Sequence, residues 1–279
     1  MHINNFKAYR QYGVLINFIP IIIAVLMGTT MAKEHPLVNK KLTFLFTGMV
    51  VEVIDGDTIR LHDGQQVRLV GIQAPKLSLG RPNFIDWPKA EDAKILLEKI
   101  SLNKKVSVYL NQQLVDPHQR LLAHVVTEDG FWLQEEMLMQ GMARVYSFPD
   151  NRRLIKEMLT IEEKARQRKI GIWSDPYYAI QNVKKVGPLG SFQVVEGQVV
   201  GVSRNRDTIY INFDQNWRQD FTLEITLSAK ALFDMENIDV LGLVGRWVRV
   251  RGWIENKNGP MIELTHPEQL EIMERLLVP

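Results

Sequence analysis

The 279-residue chain contains no cysteine. That excludes a disulfide framework and lipid attachment through a cysteine, so its domains must stand on their apolar cores alone. A net charge of one sign is missing too. The formal +2 comes from Lys7 and Arg10, which face no acids in the N-terminal segment, and residues 33–279 hold 32 bases and 32 acids. This modest field excludes the footprint of a strong non-specific polyanion binder. His62, His118 and His124 show no metal-ligand spacing and read as surface or loop residues. What is present is an ordinary globular balance, 46% apolar and 24% charged, rather than a disordered or fibrous one.

The N-terminus has three parts. Lys7 and Arg10 form a basic region, Tyr12 to Gly28 is almost continuously apolar, and Thr30-Met31-Ala32 offers small residues at a cleavage site. A cleaved leader and an uncleaved signal anchor both fit residues 1–32. Either places the rest of the chain outside the cytoplasm (periplasmic, secreted or anchored), with membrane contact only through this segment. Residues 33–47 read as a tether.

Beyond the tether, Met49–Ile54, the turn Asp55-Gly56-Asp57 and Thr58–Leu61 make a hairpin, followed by a third strand over Val67–Ile72. Helical spacing covers Ala90–Ile100, Leu133–Arg144 and roughly Arg152–Lys169, with strands over Lys105–Leu110 and Leu121–Thr127. The expected fold class is α+β, a five-stranded barrel of the oligonucleotide/oligosaccharide-binding (OB) type with packed helices over residues 48–180. After a linker at 181–190, strands over Val194–Ser203, Thr208–Phe213, Phe221–Leu227, Trp247–Ile254 and Met261–Leu264 suggest a second small OB-like barrel over 191–279. A helix near Ala229–Glu236 falls among them, and Pro267–Leu277 reads as a closing helix. Asp57-Thr58-Ile59 is echoed by Asp207-Thr208-Ile209, each opening the second strand of its half.

One set of residues carries chemistry. Asp55-Gly56-Asp57-Thr58 is followed by Arg68-Leu69-Val70-Gly71-Ile72-Gln73-Ala74-Pro75-Lys76, by Arg120 in a loop, and by Gly171-Ile172-Trp173. Over about residues 48–177 the chain resembles the thermonuclease (staphylococcal-nuclease-like) family. That family carries an Asp-Gly-Asp-Thr turn, then Arg-x-x-x-x-Asp-x-Pro-Glu, then a second Arg. The resemblance implies calcium-dependent hydrolysis of nucleic-acid phosphodiesters. It makes Asp57 a remaining calcium ligand and Arg68 and Arg120 phosphate clamps.

Two positions depart from the pattern. Gln73 stands where the family has its second Asp ligand, and Lys76 where it has the Glu near the attacking water. Side-chain charge at the three acidic positions changes from −3 to 0. Calcium selects anionic oxygens, and an ammonium beside the site repels it. Loss of a positioned base alone costs about 10²–10⁴ in rate. Asp86 is the nearby acid that could compensate. Lys76, Arg68 and Arg120 would otherwise form an anion pocket, and Arg68 could instead pair with Asp57 for stability.

The second half offers Tyr210, Phe213, Trp217, Trp247 and Trp253, with Arg249 and Arg251 on one strand face. Its balance of 9 bases to 13 acids opposes a polyanion, whereas residues 33–190 hold 23 bases to 19 acids. The acidic half is therefore expected to be structural, docked on the basic half or on an envelope protein. Three readings follow: a pseudoenzyme that keeps a phosphate or nucleic-acid pocket and needs no cofactor, an active divergent nuclease that uses calcium, or a non-catalytic envelope scaffold.

Overall fold

The computed structural model describes residues 33–110, 114–216 and 220–273. The leader, Trp217 and the end of the expected closing helix lie outside them.

Alternating β-branched and polar residues build the first half. Its strands are β1 (Thr43–Asp55), β2 (Thr58–Leu61), β3 (Gln66–Leu69), β4 (Ile72–Gln73), β5 (Lys105–Leu110), β6 (Leu121–Thr127) and β7 (Arg144–Val145). β1, β2, β3, β6 and β5 close into a barrel in that order, with β3 parallel to β6 and the other pairs antiparallel. Val50, Ile59, Val67, Val108 and Val125 fill the core, each buried. The helices are α1 (Pro36–Lys41), α2 (Ala90–Ser101), α3 (Leu133–Met139) and α4 (Ile155–Gln167). α2 turns Ala93 and Leu97 inward and carries Glu91 and Asp92 in its first turn, where the helix dipole favours acids.

Gly56 fixes how close these parts come. A Cβ there would lie 2.7 Å from the Cβ atoms of both Ala74 and Ala93, so only glycine lets the acidic turn press between the Ala74 segment and α2. Gly171 plays a similar part where the helical region ends. Its φ of +59° and its approach to the Gly141 carbonyl leave no space for a side chain.

The second half contains β8 (Gln181–Asn182), β9 (Phe192–Gln198), β10 (Gly201–Asn205), β11 (Thr208–Asn212), β12 (Thr222–Thr226), α5 (Leu227–Met235), β13 (Trp247–Trp253), β14 (Glu255–Asn256), β15 (Pro260–Glu263) and β16 (Leu270–Met273). It repeats the pairing scheme of the first half: β10 with β11, β11 with β12, β12 parallel to β15, and β9 antiparallel to β13. It is not a closed barrel, however. The strands form a five-stranded and a four-stranded sheet. The expected strand over Val194–Ser203 crosses between the sheets, because the Val199 N–H bonds the Arg246 carbonyl while the Val200 N–H bonds that of Asn212.

Other expectations also need correcting. Residues 33–47 are not a tether: α1 and the start of β1 lie there, and Val38 is buried in the first core. Within 181–190, read as a linker, Gln181 and Asn182 pair with β9. Instead of a helix, Pro267–Gln269 is a short 3₁₀ turn leading into β16. His124, expected on the surface, is buried on β6: it lies on the strand face opposite Val125, and Trp132 packs over it there.

From residue 32 onward the chain forms one unit. Its halves meet through α4 and the odd-numbered face of β13. The Arg251 guanidinium bonds Glu162 of α4 at 3.0 and 3.1 Å and Glu271 of β16 at 2.6 Å. Arg166 pairs with Glu162, and Arg249 with Glu196 and Glu271. Arg152 reaches Glu236 at 2.9 Å and Glu268 at 2.8 Å. The arginines that looked free for a nucleic-acid groove are thus held by carboxylates.

Candidate functional site

The β1–β2 turn, β3, the segment after β4 and the loop before β6 converge at one mouth of the closed barrel. They border a cleft of about 790 Å³. Asp57 is fully buried there, in the turn just before β2. The Lys76 ammonium sits 2.7 Å from both of its carboxylate oxygens and 3.3 Å from Asp55 Oδ2. Arg68 Nη1 lies 3.1 Å from Asp57 Oδ1. The Ala74 N–H donates to Oδ2 at 2.8 Å, and the Thr58 hydroxyl to Oδ1 at 3.3 Å. Two acids and two cations therefore form a neutral, cross-linked knot.

Arg68 is more tied down than a clamp standing free. Its Nη1 also donates to the Leu69 carbonyl at 2.9 Å, and Nη2 to that of Ile72 at 2.8 Å. This is the pairing with Asp57 expected of a stabilising role, although the side chain still borders the cleft. Arg120 is less committed. Its guanidinium pairs with Asp116 at 2.7 Å and reaches the Thr58 hydroxyl at 3.4 Å, with a quarter of its side chain exposed. Asp86 accepts a bond from the Ser78 N–H and so anchors the loop after Lys76.

The two carboxyls respond oppositely to this environment. Burial alone would raise Asp55, but Lys76 and then Arg68 outweigh it and hold its carboxyl well below the ordinary range. Burial pushes Asp57 up, against the pull of Arg68, with Asp55 adding to the rise.

Gln73 borders the same cleft, but its amide oxygen is already engaged. β4 pairs with β7 so that Gln73 lies opposite Arg144, and Gln73 Oε1 accepts from Arg144 Nε at 3.0 Å and Nη2 at 2.7 Å. Sequence reasoning missed Arg144, because 71 positions separate the partners and no periodicity links them. It also missed Arg81, Tyr146 and Phe148, which border the cleft. The Arg81 guanidinium lies 3.9 Å above the Phe84 ring.

Calcium does not fit this arrangement. Both Asp57 oxygens already accept from protein donors, an ammonium occupies the space before them, and the one neutral oxygen on offer, Gln73 Oε1, is held by Arg144. Among the described residues no group of three His, Cys, Asp or Glu side chains could hold a metal ion. What remains is a cation-rich cleft with aromatic walls, suited to an anion that carries flat groups.

Comparison with known proteins agrees with this frame. The family model for staphylococcal nuclease homologues matches residues 66–175. Endonuclease YncB of Bacillus subtilis (strain 168) is 32% identical over 130 residues, 45% of this chain and 60% of that protein. An uncharacterized endonuclease of Escherichia coli O157:H7 is 32% identical over 131 residues, 46% of this chain and 77% of its own length. Protein ParB of Escherichia coli is 33% identical over 147 residues, 47% of this chain and 73% of that protein. These matches cover less than half of the chain, and the closed five-stranded barrel with its helices is consistent with that family. The chain belongs to the family of staphylococcal nuclease homologues.

Proposed function

We propose that this protein binds single-stranded nucleic acid through the barrel cleft and has lost the calcium-dependent hydrolysis implied by its resemblance to the thermonucleases. The observation that carries this reading is the position of Lys76. Its ammonium takes the place before Asp57 and Asp55 where a divalent cation would need carboxylate oxygens. Charged lysine cannot accept a proton from water, so the site also lacks the base that the family's Glu would provide.

The same substitution favours binding. Phosphate oxygens seek fixed cations, and Lys76, Arg120 and Arg68 border one cleft. Arg120 offers the least committed donors. Tyr146 and Phe148 supply flat apolar surface beside these cations, as base stacking requires. The endonucleases among its relatives point to nucleic acid as the ligand class. The basic n-region and apolar run of residues 7–28 support an extracytoplasmic setting.

The test is hydrolysis of single-stranded DNA and RNA by the full chain, with calcium and with chelator, beside salt-dependent binding of the same strands. The expected result is binding that weakens steeply with salt and no calcium-dependent cleavage. Cleavage abolished by chelator would overturn the reading of Lys76. Absence of salt-dependent binding would leave the scaffold reading in its place.

A further inference from the structure

The second half of the molecule reaches the wall of the cleft through a chain of aromatic rings. Tyr146, which borders the cleft, meets Phe148 edge-on at 4.9 Å and Phe192 at 4.9 Å on another side. Phe192 in turn meets Trp253 edge-on at 6.4 Å. The Trp253 indole N–H donates to the Tyr146 hydroxyl at 3.0 Å. Arg144, which holds Gln73, lies 4.7 Å above the Phe192 ring and backs the same row.

The ends of the row differ from its middle. Phe192 is buried, whereas Phe148 is 46% and Trp253 44% exposed. Trp253 closes β13 on the odd-numbered face, and the preceding positions on that face, Arg249 and Arg251, are occupied by carboxylates of the junction. At the end of this face nearest Tyr146, Trp253 therefore offers an exposed apolar side chain, while Trp247 at the other end is half-buried. Its hydrogen bond to Tyr146 fixes the indole beside the cleft without covering the ring. The acids of the junction are paired with arginines, so the deficit of positive charge in the second half is not concentrated there.

We propose that Trp253 is a base-stacking platform that extends the nucleic-acid path from the barrel cleft onto the second half. A single strand held by its phosphates at Arg120 and Lys76 would pass Tyr146 and Phe148 and place a further base on the indole. This rests on the binding reading above and adds to it a length requirement: a short strand fills the cleft, and only a longer one reaches Trp253. Stacking on an exposed aromatic tolerates any base, so the gain depends on length rather than sequence.

The experiment uses the full chain, with Trp253→Ala and Trp253→Phe beside it. Fluorescence anisotropy in chelator would follow labelled oligothymidylates of about three and about twelve nucleotides, below and within the usual span of one such barrel. The longer strand is expected to bind the wild type more tightly. Trp253→Ala should weaken it about tenfold and leave the shorter strand unchanged, and Trp253→Phe should restore most of the loss. Equal loss for both lengths would mean the indole only holds the cleft wall in place, and would overturn the proposal. So would an unchanged affinity for the longer strand. If the wild type binds neither strand, the binding reading falls and this one with it; if it binds both and the variants match it, only this one falls.

Discussion

The molecule contains two clusters of buried charge, built from the same kinds of residue and put to different ends. At the barrel mouth, Asp55, Asp57, Arg68 and Lys76 pair beside an open cleft, with Arg120 near them. At the junction, Glu162, Arg166, Arg249, Arg251 and Glu271 pair between α4 and β13. At the centre of the second cluster Arg251 and Glu162 are almost wholly buried, with Glu271 and Arg249 partly exposed at its rim. In the first, Lys76 keeps 19% of its side chain exposed and faces the cleft. Similar ion pairs can serve as mortar or as a binding surface, and the difference lies in which of them a ligand can touch.

The largest effect that should separate them comes from Arg251→Ala. It leaves Glu162 without its bidentate partner in a sealed setting, where breaking a buried pair costs about 3–5 kcal/mol. Urea unfolding should show that loss, while oligonucleotide affinity of the folded protein changes little. A matching loss of affinity would mean the clusters are not independent.

Next in size is Lys76→Glu. It removes the cation shared by Asp57 and Asp55 and adds a third acid, so the variant in chelator should lose about 2–4 kcal/mol. Calcium should restore part of this as a rise in melting temperature, which the wild type does not show. Adding Gln73→Asp should help calcium little unless Arg144 is also replaced, since Arg144 would claim the new carboxylate as it now claims Gln73. A large calcium gain with Arg144 intact would refute that account.

Acid should act on both halves alike. His124 in the first core and His266 at the junction, bonded to Ser147 at 2.7 Å, are both lowered by burial to about 3. Each is neutral when folded and takes up a proton when unfolded below its ordinary value of 6.5. Stability therefore falls as pH drops from about 6.5 towards 3, by about 1.4 kcal/mol per pH unit for each histidine. Denaturant titrations of His124→Leu should show a shallower slope over that window. An unaltered slope would remove His124 from the account.

The smallest effect belongs to Arg120→Ala. Losing one phosphate contact should weaken nucleic-acid binding several-fold and reduce the salt slope by about one. Stability should hardly move, because Arg120 pairs mainly with Asp116 in its own loop.

Parts of this architecture were readable beforehand. β2, β5 and β6 lie where alternating apolar residues placed them, and α2 follows its helical spacing closely. The Asp57 and Lys76 positions came from a local motif, and local motifs survive in sequence order. α1 was hidden because a short apolar pair, Leu37 and Val38, anchors it among Lys and Asn. The division of the long strand at Val199 depends on which neighbour each N–H meets, and no property of Val199 or Val200 announces it. The Gln73–Arg144 bond and the reach of Trp253 to Tyr146 are non-local. Both required strands far apart in sequence to be set side by side. The sequence reading of His124 failed for a related reason, since whether its face of β6 is covered depends on what packs over it, here Trp132, and not on the residue.

Lys76 also changes how the site depends on its surroundings. A bound ion comes and goes with its concentration in the medium, and a chelator can strip it. A cation attached to the chain has a high effective concentration that dilution cannot lower. The carboxylates of Asp55 and Asp57 thus have their counter-charge supplied by the fold itself, in ion-poor and ion-rich media alike. The electrostatic state of the cleft becomes an inherited property rather than an acquired one.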